Sequence, residues 1–376
     1  MSNNFKVAYL ISALDKSGPV NILFSVLSNL KDYHNNFIII TLKEIPASKS
    51  REQDFSNLGI QIFHVALGNC NFFSGFSQIK KKLKENHVSI VHSHCFRSCI
   101  CNALLSLDRG LVTVHTTHSD PFYVYKFLVR FPLNYILMSV ALFSFTFMTR
   151  LVACASYIEK KLKPFMRAGR LCSITNGVNT SFFCPLSNNE RNKLISQLEW
   201  DPNKIHLVSS SRITRQKNYS YIIDALAPFK DKIHFIAIGD GDLFEYYKQF
   251  NQKGFIEFRG FCDDVRPYLQ SADYFISSSK LEGFSCSVLE AMACGTPVLL
   301  SSIPSHIMLK EDKEYASSAT AFFSLDNPSE LSAVLSKIID NPSLLNRECT
   351  RKMVCAHYSS QLMSQSYLDL YNSFSQ

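Results

Sequence analysis

Residues 277–299 read SSSKLEGFSCSVLEAMACGTPVL, and their punctuation decides the fold. An apolar β-rich run ends near Ser278, and a loop carrying Glu282 and Gly283 follows. A helix is expected to open at 285–287 and to stop at Gly295, where Gly and then Pro297 cannot continue it. A strand that passes through a short loop into a helix, followed at once by another apolar run, is the repeating unit of a parallel sheet wrapped by helices.

The same unit recurs outward in both directions. Upstream within the same half, β-rich runs fall at 205–210, 233–238, 255–259 and 273–277, with further runs at 297–300 and 321–325. Helical segments at 219–228, 243–252, 265–271, 287–294 and 328–340 separate them. The first half alternates in the same way, with strands expected at 5–14, 37–42, 60–67, 88–92, 111–115, 151–155 and 171–175. Runs such as Phe37-Ile-Ile-Ile-Thr-Leu42 are continuous rather than alternating, as strands buried on both faces require. The sequence therefore predicts an α/β protein of two Rossmann-like domains facing a central cleft. The expected limits are 1–180 for an N-terminal acceptor-binding domain and 181–355 for a C-terminal nucleotide-binding domain. A C-terminal helix, 356–376, is expected to pack back on the first domain, and the polar stretch 185–191 is read as the linker. Ligands of such sheets sit outside the carboxyl ends of the strands.

Composition sets limits on function. The chain has 376 residues, 46% hydrophobic and 19% charged, enough for two ordinary cores. Its net charge of +8 includes a run at Lys80, Lys81, Lys82 and Lys84. That run suits a solvated helix face or an acidic partner such as phosphate or anionic lipid. No finger, ribonucleoprotein or helix-turn-helix signature points to nucleic acid. Twelve cysteines lack framework or zinc spacing, Cys70 and Cys99-x-Cys101 included, so reduced thiols are expected. The N-terminus runs from Met1-Ser-Asn-Asn directly into a strand without a signal peptide, which points to the cytoplasm. Residues 133–148 are strongly apolar but 16 long, against the roughly 20 that span a bilayer. They are read as a buried or interfacial helix.

The chemistry concentrates in the second half. The amides of Gly283, Phe284 and Ser285 lie at an expected helix N-terminus, where an anion is favoured, and Gly283 lets the backbone approach a ligand. Glu282 and Glu290 bracket this site. Two carboxylates beside an anion are suited to accept hydrogen bonds from hydroxyls. Here the sequence resembles glycosyltransferase family 4, which has the GT-B fold. The resemblance rests on Glu282 with Gly283-Phe284 and on Glu290-Ala-Met-Ala-Cys-Gly295-Thr-Pro297-Val. It extends to Arg212 with Lys217-Asn218, to Ile238-Gly239-Asp240-Gly241, to Gly260-Phe261 and to the interdomain segment Asn176-Gly177-Val178-Asn179. It implies a retaining, metal-independent transfer from a nucleotide diphosphate sugar, most often a UDP-linked hexose or N-acetylhexosamine, in surface polysaccharide synthesis. Arg212 and Lys217 would bind the diphosphate, Glu282 the donor sugar and Glu290 the ribose. Gly239, Gly260 and Phe261 would line the donor site. Fixed cations stabilise the charge that grows on a leaving diphosphate without a metal or other cofactor.

The first half departs further from the family pattern. Ser17-Gly18-Pro19 occupies the place of a Gly-rich loop, with Gly18 its one glycine and an expected donor-binding residue at a helix N-terminus suited to a phosphate. By resemblance His115 is the active-site histidine of the expected catalytic set His115, Arg212, Lys217 and Glu282, with His118 as its alternative. His92-x-His94 lacks an evident third ligand for a metal. Asp120 is the candidate for acceptor hydroxyls. The acceptor is expected to be a glycan or a lipid-linked sugar, and the basic, aromatic stretch 122–130 beside the apolar run suggests peripheral contact with an anionic membrane. Two rival readings are a catalytically silent nucleotide-sugar-binding protein of the same fold and a dinucleotide oxidoreductase. The second lacks a G-x-G-x-x-G after any strand.

Overall fold

The computed structural model describes residues 5–67 and 72–375. Cys70 and the first four residues lie outside the described residues. The chain divides into two compact units, Met1–Gly177 with Ser360–Gln376, and Val178–Ser359.

Among the described residues the first unit holds seven strands. They are β1 (Val7–Ile11), β2 (Phe37–Thr41), β3 (Gln61–His64), β4 (Ile90–His94), β5 (Val112–Thr117), β6 (Arg150–Ala153) and β7 (Leu171–Ser173). All pair in parallel, in the order β3-β2-β1-β4-β5-β6-β7. Strands β1 and β2 are buried at every position, as their unbroken apolar runs demand. One apolar layer packs Ala8, Leu10, Ile38, Ile40 and Val91 against Ile79, Leu83, Cys101 and Leu105 of the covering helices.

The last helix, Ser360–Asn372, belongs to this unit and packs beside Gly18–Asn29. It is anchored by a buried polar network. Tyr371 Oη lies 2.8 Å from Tyr9 Oη and 2.7 Å from His92 Nδ1, while His92 Nε2 lies 2.8 Å from Thr116 Oγ1 and Tyr367 Oη 3.1 Å from the same hydroxyl. The helix expected over 356–376 is Ser360–Asn372; the helix before it, Arg347–His357, belongs to the second unit, and the units divide between the two.

The second unit carries β8 (Ile205–Ser210), β9 (Ile233–Ile238), β10 (Ile256–Phe258), β11 (Tyr274–Ser277), β12 (Val298–Ser301) and β13 (Thr320–Phe323). They form a parallel sheet ordered β10-β9-β8-β11-β12-β13. In both sheets the strand order reverses direction once, between β1 and β4 and between β8 and β11. Those two points are where a doubly wound sheet opens a crevice for a ligand. The stretch 185–191, expected as a linker, instead starts a helix inside the second unit. Ser187 caps Asn188–Gln197 in a capping box with Glu190, because Ser187 Oγ and the Glu190 carboxylate each satisfy an amide that the helix start leaves open.

The apolar run of the first unit forms the helix Leu133–Phe145. Its buried residues are Asn134, Ala141, Ser144 and Phe145, whereas Leu133, Tyr135, Ile136, Val140 and Phe143 are exposed. At 1.5 Å per residue its 13 residues reach about 20 Å, short of a hydrocarbon core of about 30 Å. No helix among the described residues is long and apolar enough to cross a membrane. The described cysteines are all free thiols.

Candidate functional site

The switch point of the second sheet gathers the expected residues. The loop after β8 carries Arg212 and Lys217, and the loop after β11 carries Glu282, Gly283 and Phe284. Hydrogen bonds to backbone carbonyls stitch the two loops together. Lys280 N donates to Gln216 O at 2.9 Å, the Gln216 amide donates to Leu281 O, and Ser278 Oγ donates to the carbonyls of Lys217 and Asn218. Asn218 sits in the left-handed region at φ 57°, which turns the chain into the helix Tyr219–Leu226.

This stitching sets Lys217 Nζ 2.5 Å from Glu282 Oε1, with the two side chains 16% and 11% exposed. Burial pushes the Glu282 carboxyl up, but the charge and hydrogen bond of Lys217 outweigh it and hold the group below its usual range. Arg212 is exposed, and its guanidinium has no hydrogen bond or ion pair among the described residues. The site thus holds one cation neutralised by a carboxylate and one cation left for an anion.

Glycines bring a third loop against this pair. Gly239 has φ 138°, and a Cβ there would stand 2.0 Å from Ser211 O, so no other residue fits without moving the backbone. A Cβ on Gly241 would meet Ile213 O at 2.4 Å. Gly239 N donates to Gly260 O at 2.8 Å, which ties in the following loop, where Phe261 is exposed. Beyond Glu282 the helix is Cys286–Ala293, with Ser285 in the N-cap position but donating and accepting no cap bond through its side chain. Phe284 is buried, its ring 5.2 Å from that of Tyr358. Glu290 is one helical face further on, and burial pushes its carboxyl up to about 7.

One residue near this pair was not singled out from the sequence. His306 lies just past β12, is 2% exposed, and its imidazole is close enough to Glu282 and Lys217 for both charges to bear on it. A histidine shortly after the carboxyl end of a strand bordering the switch point was the one available signal.

In the first unit the expected residues scatter. Gly18 opens the helix Gly18–Asn29, where a Cβ would meet nothing within 4 Å, so its glycine is not sterically required. Ser17 Oγ bonds Asp15, and Pro19 takes one of the first helical positions. His115 lies within β5, not beyond it. It is 3% exposed, its Nδ1 is 2.9 Å from Ser93 Oγ, and its ring stacks on Phe145 at 5.3 Å. Burial pushes it down to about 3, so it is neutral at physiological pH. His118 follows the strand end, and its Nε2 lies 2.7 Å from His94 Nδ1. Burial brings His118 down to about 4. Asp120 departs from its expected role. It is fully buried, Oδ1 accepts from Phe122 N at 2.9 Å, and Oδ2 pairs with Lys161 at 2.5 Å. Each oxygen bonds inside the fold at the turn after β5 and the side chain is 1% exposed, so it is burial that stands against its expected contact with an acceptor. Among the described residues no three His, Cys, Asp or Glu side chains are grouped to hold a metal ion.

Comparisons with known proteins agree with this architecture. The family model described as Glycosyltransferase Family 4 matches residues 18–182, and that described as Glycosyl transferases group 1 matches residues 190–352. The O-antigen biosynthesis glycosyltransferase WclY of Escherichia coli is 22% identical over 377 residues, covering 98% of each chain. The N,N'-diacetylbacillosaminyl-diphospho-undecaprenol alpha-1,3-N-acetylgalactosaminyltransferase of Campylobacter jejuni is 23% identical over 370 residues, 92% of this chain and 93% of that one. The crystal structure of HepE from Anabaena, in complex with UDP and glucose, superposes with a TM-score of 0.81 at 16% identity, over 98% of this chain and all of that one. With two doubly wound units, a cation–carboxylate pair at the second switch point and these two family models spanning most of its length, the chain belongs to the family 4 glycosyltransferases of the GT-B fold.

Proposed function

We propose that the enzyme moves a hexosyl or N-acetylhexosaminyl group from a UDP-sugar to a lipid-linked or glycan acceptor in bacterial surface polysaccharide assembly. We further propose that it does so with retention at the anomeric carbon and without a metal. The observation that carries this reading is the pairing at the second switch point, where Lys217 and Glu282 are locked together beside the unpartnered Arg212. When the bond from the sugar to the diphosphate breaks, negative charge grows on the leaving group. On this reading Lys217, held by Glu282, and the exposed Arg212 meet that charge as it grows, so they stabilise the transition state more than the ground state. Glu282, kept ionised, accepts from donor-sugar hydroxyls. Glu290 accepts from the ribose, and Gly239, Gly260 and Phe261 with the amides of Gly283, Phe284 and Ser285 line the rest of the donor site. On this reading the unit Val178–Ser359 binds the donor and the unit that carries β1–β7 binds the acceptor. His115, neutral and buried, contributes a hydrogen bond rather than a charge, with His118 as the alternative nearer the strand end.

The acceptor side is read as peripheral to an anionic membrane. Leu133, Ile136, Val140 and Phe143 form an outward apolar stripe on one helix, and Phe131, Phe147 and Phe165 are exposed nearby. The 38 residues 121–158 contain no Asp or Glu, and within them Lys126 and Arg130 are exposed. An uncompensated basic margin around an apolar stripe fits lipid phosphates above acyl chains. The lysine run in Phe72–Glu85 contributes less, since Lys82 and Lys81 lie 3.0 and 3.8 Å from Glu85. Among relatives, the C. jejuni enzyme is named for a diphospho-undecaprenol acceptor and a Streptococcus pneumoniae relative for alpha-monoglucosyldiacylglycerol synthesis.

The test is a panel of nucleotide sugars screened by thermal shift, followed by transfer assays with undecaprenyl diphosphate-linked acceptors with and without EDTA. A UDP-sugar that raises the melting temperature, transfer that survives EDTA and a product of unchanged anomeric configuration are expected. Transfer that stops with EDTA and returns with magnesium or manganese would overturn the metal-free reading. Sedimentation with anionic vesicles at low salt tests the membrane contact, and protein left in the supernatant would remove it.

A further inference from the structure

The imidazole of His306 is a buried ring with one nitrogen spoken for and one left over. Its Nδ1 lies 2.9 Å from Ser301 O and 3.3 Å from Ser301 Oγ. A carbonyl oxygen only accepts, so Nδ1 carries the proton and donates. Ser301 Oγ itself donates to Ser279 O at 2.7 Å, leaving its lone pairs toward the imidazole. In a neutral imidazole the other nitrogen is then a bare acceptor. That nitrogen, Nε2, is buried and has no hydrogen-bond partner. Burial pushes the imidazole down to about 4, so the neutral, acceptor form is the one present at physiological pH. A buried polar atom without a partner costs about 1–3 kcal/mol, which a folded protein carries where something else supplies the bond.

The surroundings say what would supply it. His306 is tied through Ser301 to Ser279 at the start of the loop that holds Glu282, and the charges of Glu282 and Lys217 bear on it. Ser279, bonded through Ser301, belongs to the same loop. A diphosphate offers acceptors only and cannot satisfy a bare nitrogen lone pair. A sugar hydroxyl offers a donor.

We propose that His306 is a sugar-recognising residue of the donor site, its Nε2 accepting a hydrogen bond from a hydroxyl of the transferred sugar. This rests on the reading of the Lys217–Glu282 site as one for a nucleotide sugar. It assigns to this chain a selectivity for sugars bearing a free hydroxyl at that position, since a deoxy sugar leaves Nε2 unpaired.

The experiment compares UDP with UDP-glucose, UDP-galactose and their N-acetylhexosamine counterparts by titration calorimetry on wild type, His306→Asn and His306→Gln. Asn keeps an amide N–H near the place of Nδ1, for Ser301, but removes the acceptor at Nε2. Gln places a carbonyl oxygen near the position of Nε2. The expected result is UDP affinity unchanged within about twofold in both variants, with UDP-sugar affinity about tenfold weaker in His306→Asn and partly regained in His306→Gln. Equal changes for UDP and UDP-sugar in both variants, or no change in either, would overturn the proposal, because a merely structural histidine cannot single out the sugar. If His306→Asn does not fold, the UDP to UDP-sugar ratio in His306→Gln and the preference of wild type for a hydroxylated over a deoxy sugar decide it. Wild-type protein that binds no nucleotide sugar overturns the donor reading itself, an outcome distinct from normal binding with an unchanged ratio.

Discussion

Replacing Lys217 by Met tests whether the buried ion pair is as consequential as its geometry implies. The substitution keeps the apolar stem and removes the charge, leaving the Glu282 carboxylate, 11% exposed, without the cation 2.5 Å away. Removing one partner of a fully buried pair costs about 3–5 kcal/mol. Here both side chains keep a little contact with solvent, so about 2–3 kcal/mol is expected at pH 7.5. The sign with pH follows from Glu282. In the wild type its carboxyl is held below the ordinary value, so its contribution is present above that value and lost as pH falls through the folded-state value. Without Lys217, burial dominates and raises the carboxyl, so the variant recovers part of its deficit by taking up a proton as pH falls. The difference between wild type and variant therefore shrinks between pH 7.5 and 5.5. The molecule supplies its own probe, because the one tryptophan of the chain, Trp200, is buried in the second unit and stacks on His206 at 4.6 Å. Urea unfolding followed by its fluorescence reads the unit Val178–Ser359, and above pH 5.5 His206, which burial brings down to about 4, stays neutral and does not alter the signal. The double variant Lys217→Met/Glu282→Gln should regain most of the stability and none of the donor binding. A Lys217→Met protein whose unfolding free energy lies within about 0.5 kcal/mol of wild type at pH 7.5 would refute the reasoning.

Three further outcomes are expected. Arg212→Ala, at an exposed and unpartnered position, should leave the urea midpoint within about 0.5 kcal/mol of wild type yet lower turnover by about 2–4 kcal/mol in the transition state; near-normal turnover would remove Arg212 from the diphosphate site. Glu290, raised to about 7 when folded, favours the folded state while protonated, so wild type should lose on the order of 2 kcal/mol relative to Glu290→Gln between pH 5 and 7.5. UDP binding near pH 7 should also release a proton, seen as a buffer-dependent heat that Glu290→Gln abolishes. Gly239→Ala must displace the Ser211 carbonyl that a Cβ would meet at 2.0 Å, and a loss of more than about 2 kcal/mol with weakened UDP binding is expected, measured by the same fluorescence and by calorimetry.

Much of this protein is local in sequence and could be read there. The runs that became β2 and β9 are apolar over a strand's length and lie between turn signals, so their type and burial followed from composition alone. The loop of Glu282, Gly283 and Phe284 was legible because a strand end, a glycine and a helix start fall within ten residues. Arg212 and Lys217 were legible only through the resemblance of that stretch to the family's diphosphate-binding pair, since the loop after β8 carries no glycine. The sequence set these pieces in order, and the parallel order of the strands then placed the loops after β8 and β11 side by side.

What lay beyond the sequence depends on partners distant along the chain. Asp120 looks like a polar residue past a strand end, and only its burial in the fold, beside Lys161 41 positions later, takes its carboxylate out of reach. His306 looks like an isolated histidine until Ser301 fixes its proton and the charges of Glu282 and Lys217 come close enough to bear on it. The stretch 185–191 reads as a linker because its residues are polar, yet a capping box makes it the start of a helix. The helix Leu133–Phe145 is apolar on nearly every side, so no periodicity in its sequence marks an inner face. Packing alone put Asn134 and Ser144 inward and left Ile136 and Phe143 exposed. Short-range propensity and hydrophobic pattern determine which elements form. Which side chains meet, and which polar atoms are left without a partner, is decided only when those elements close on one another, since hydrogen bonds and desolvation depend on distances the linear chain does not contain.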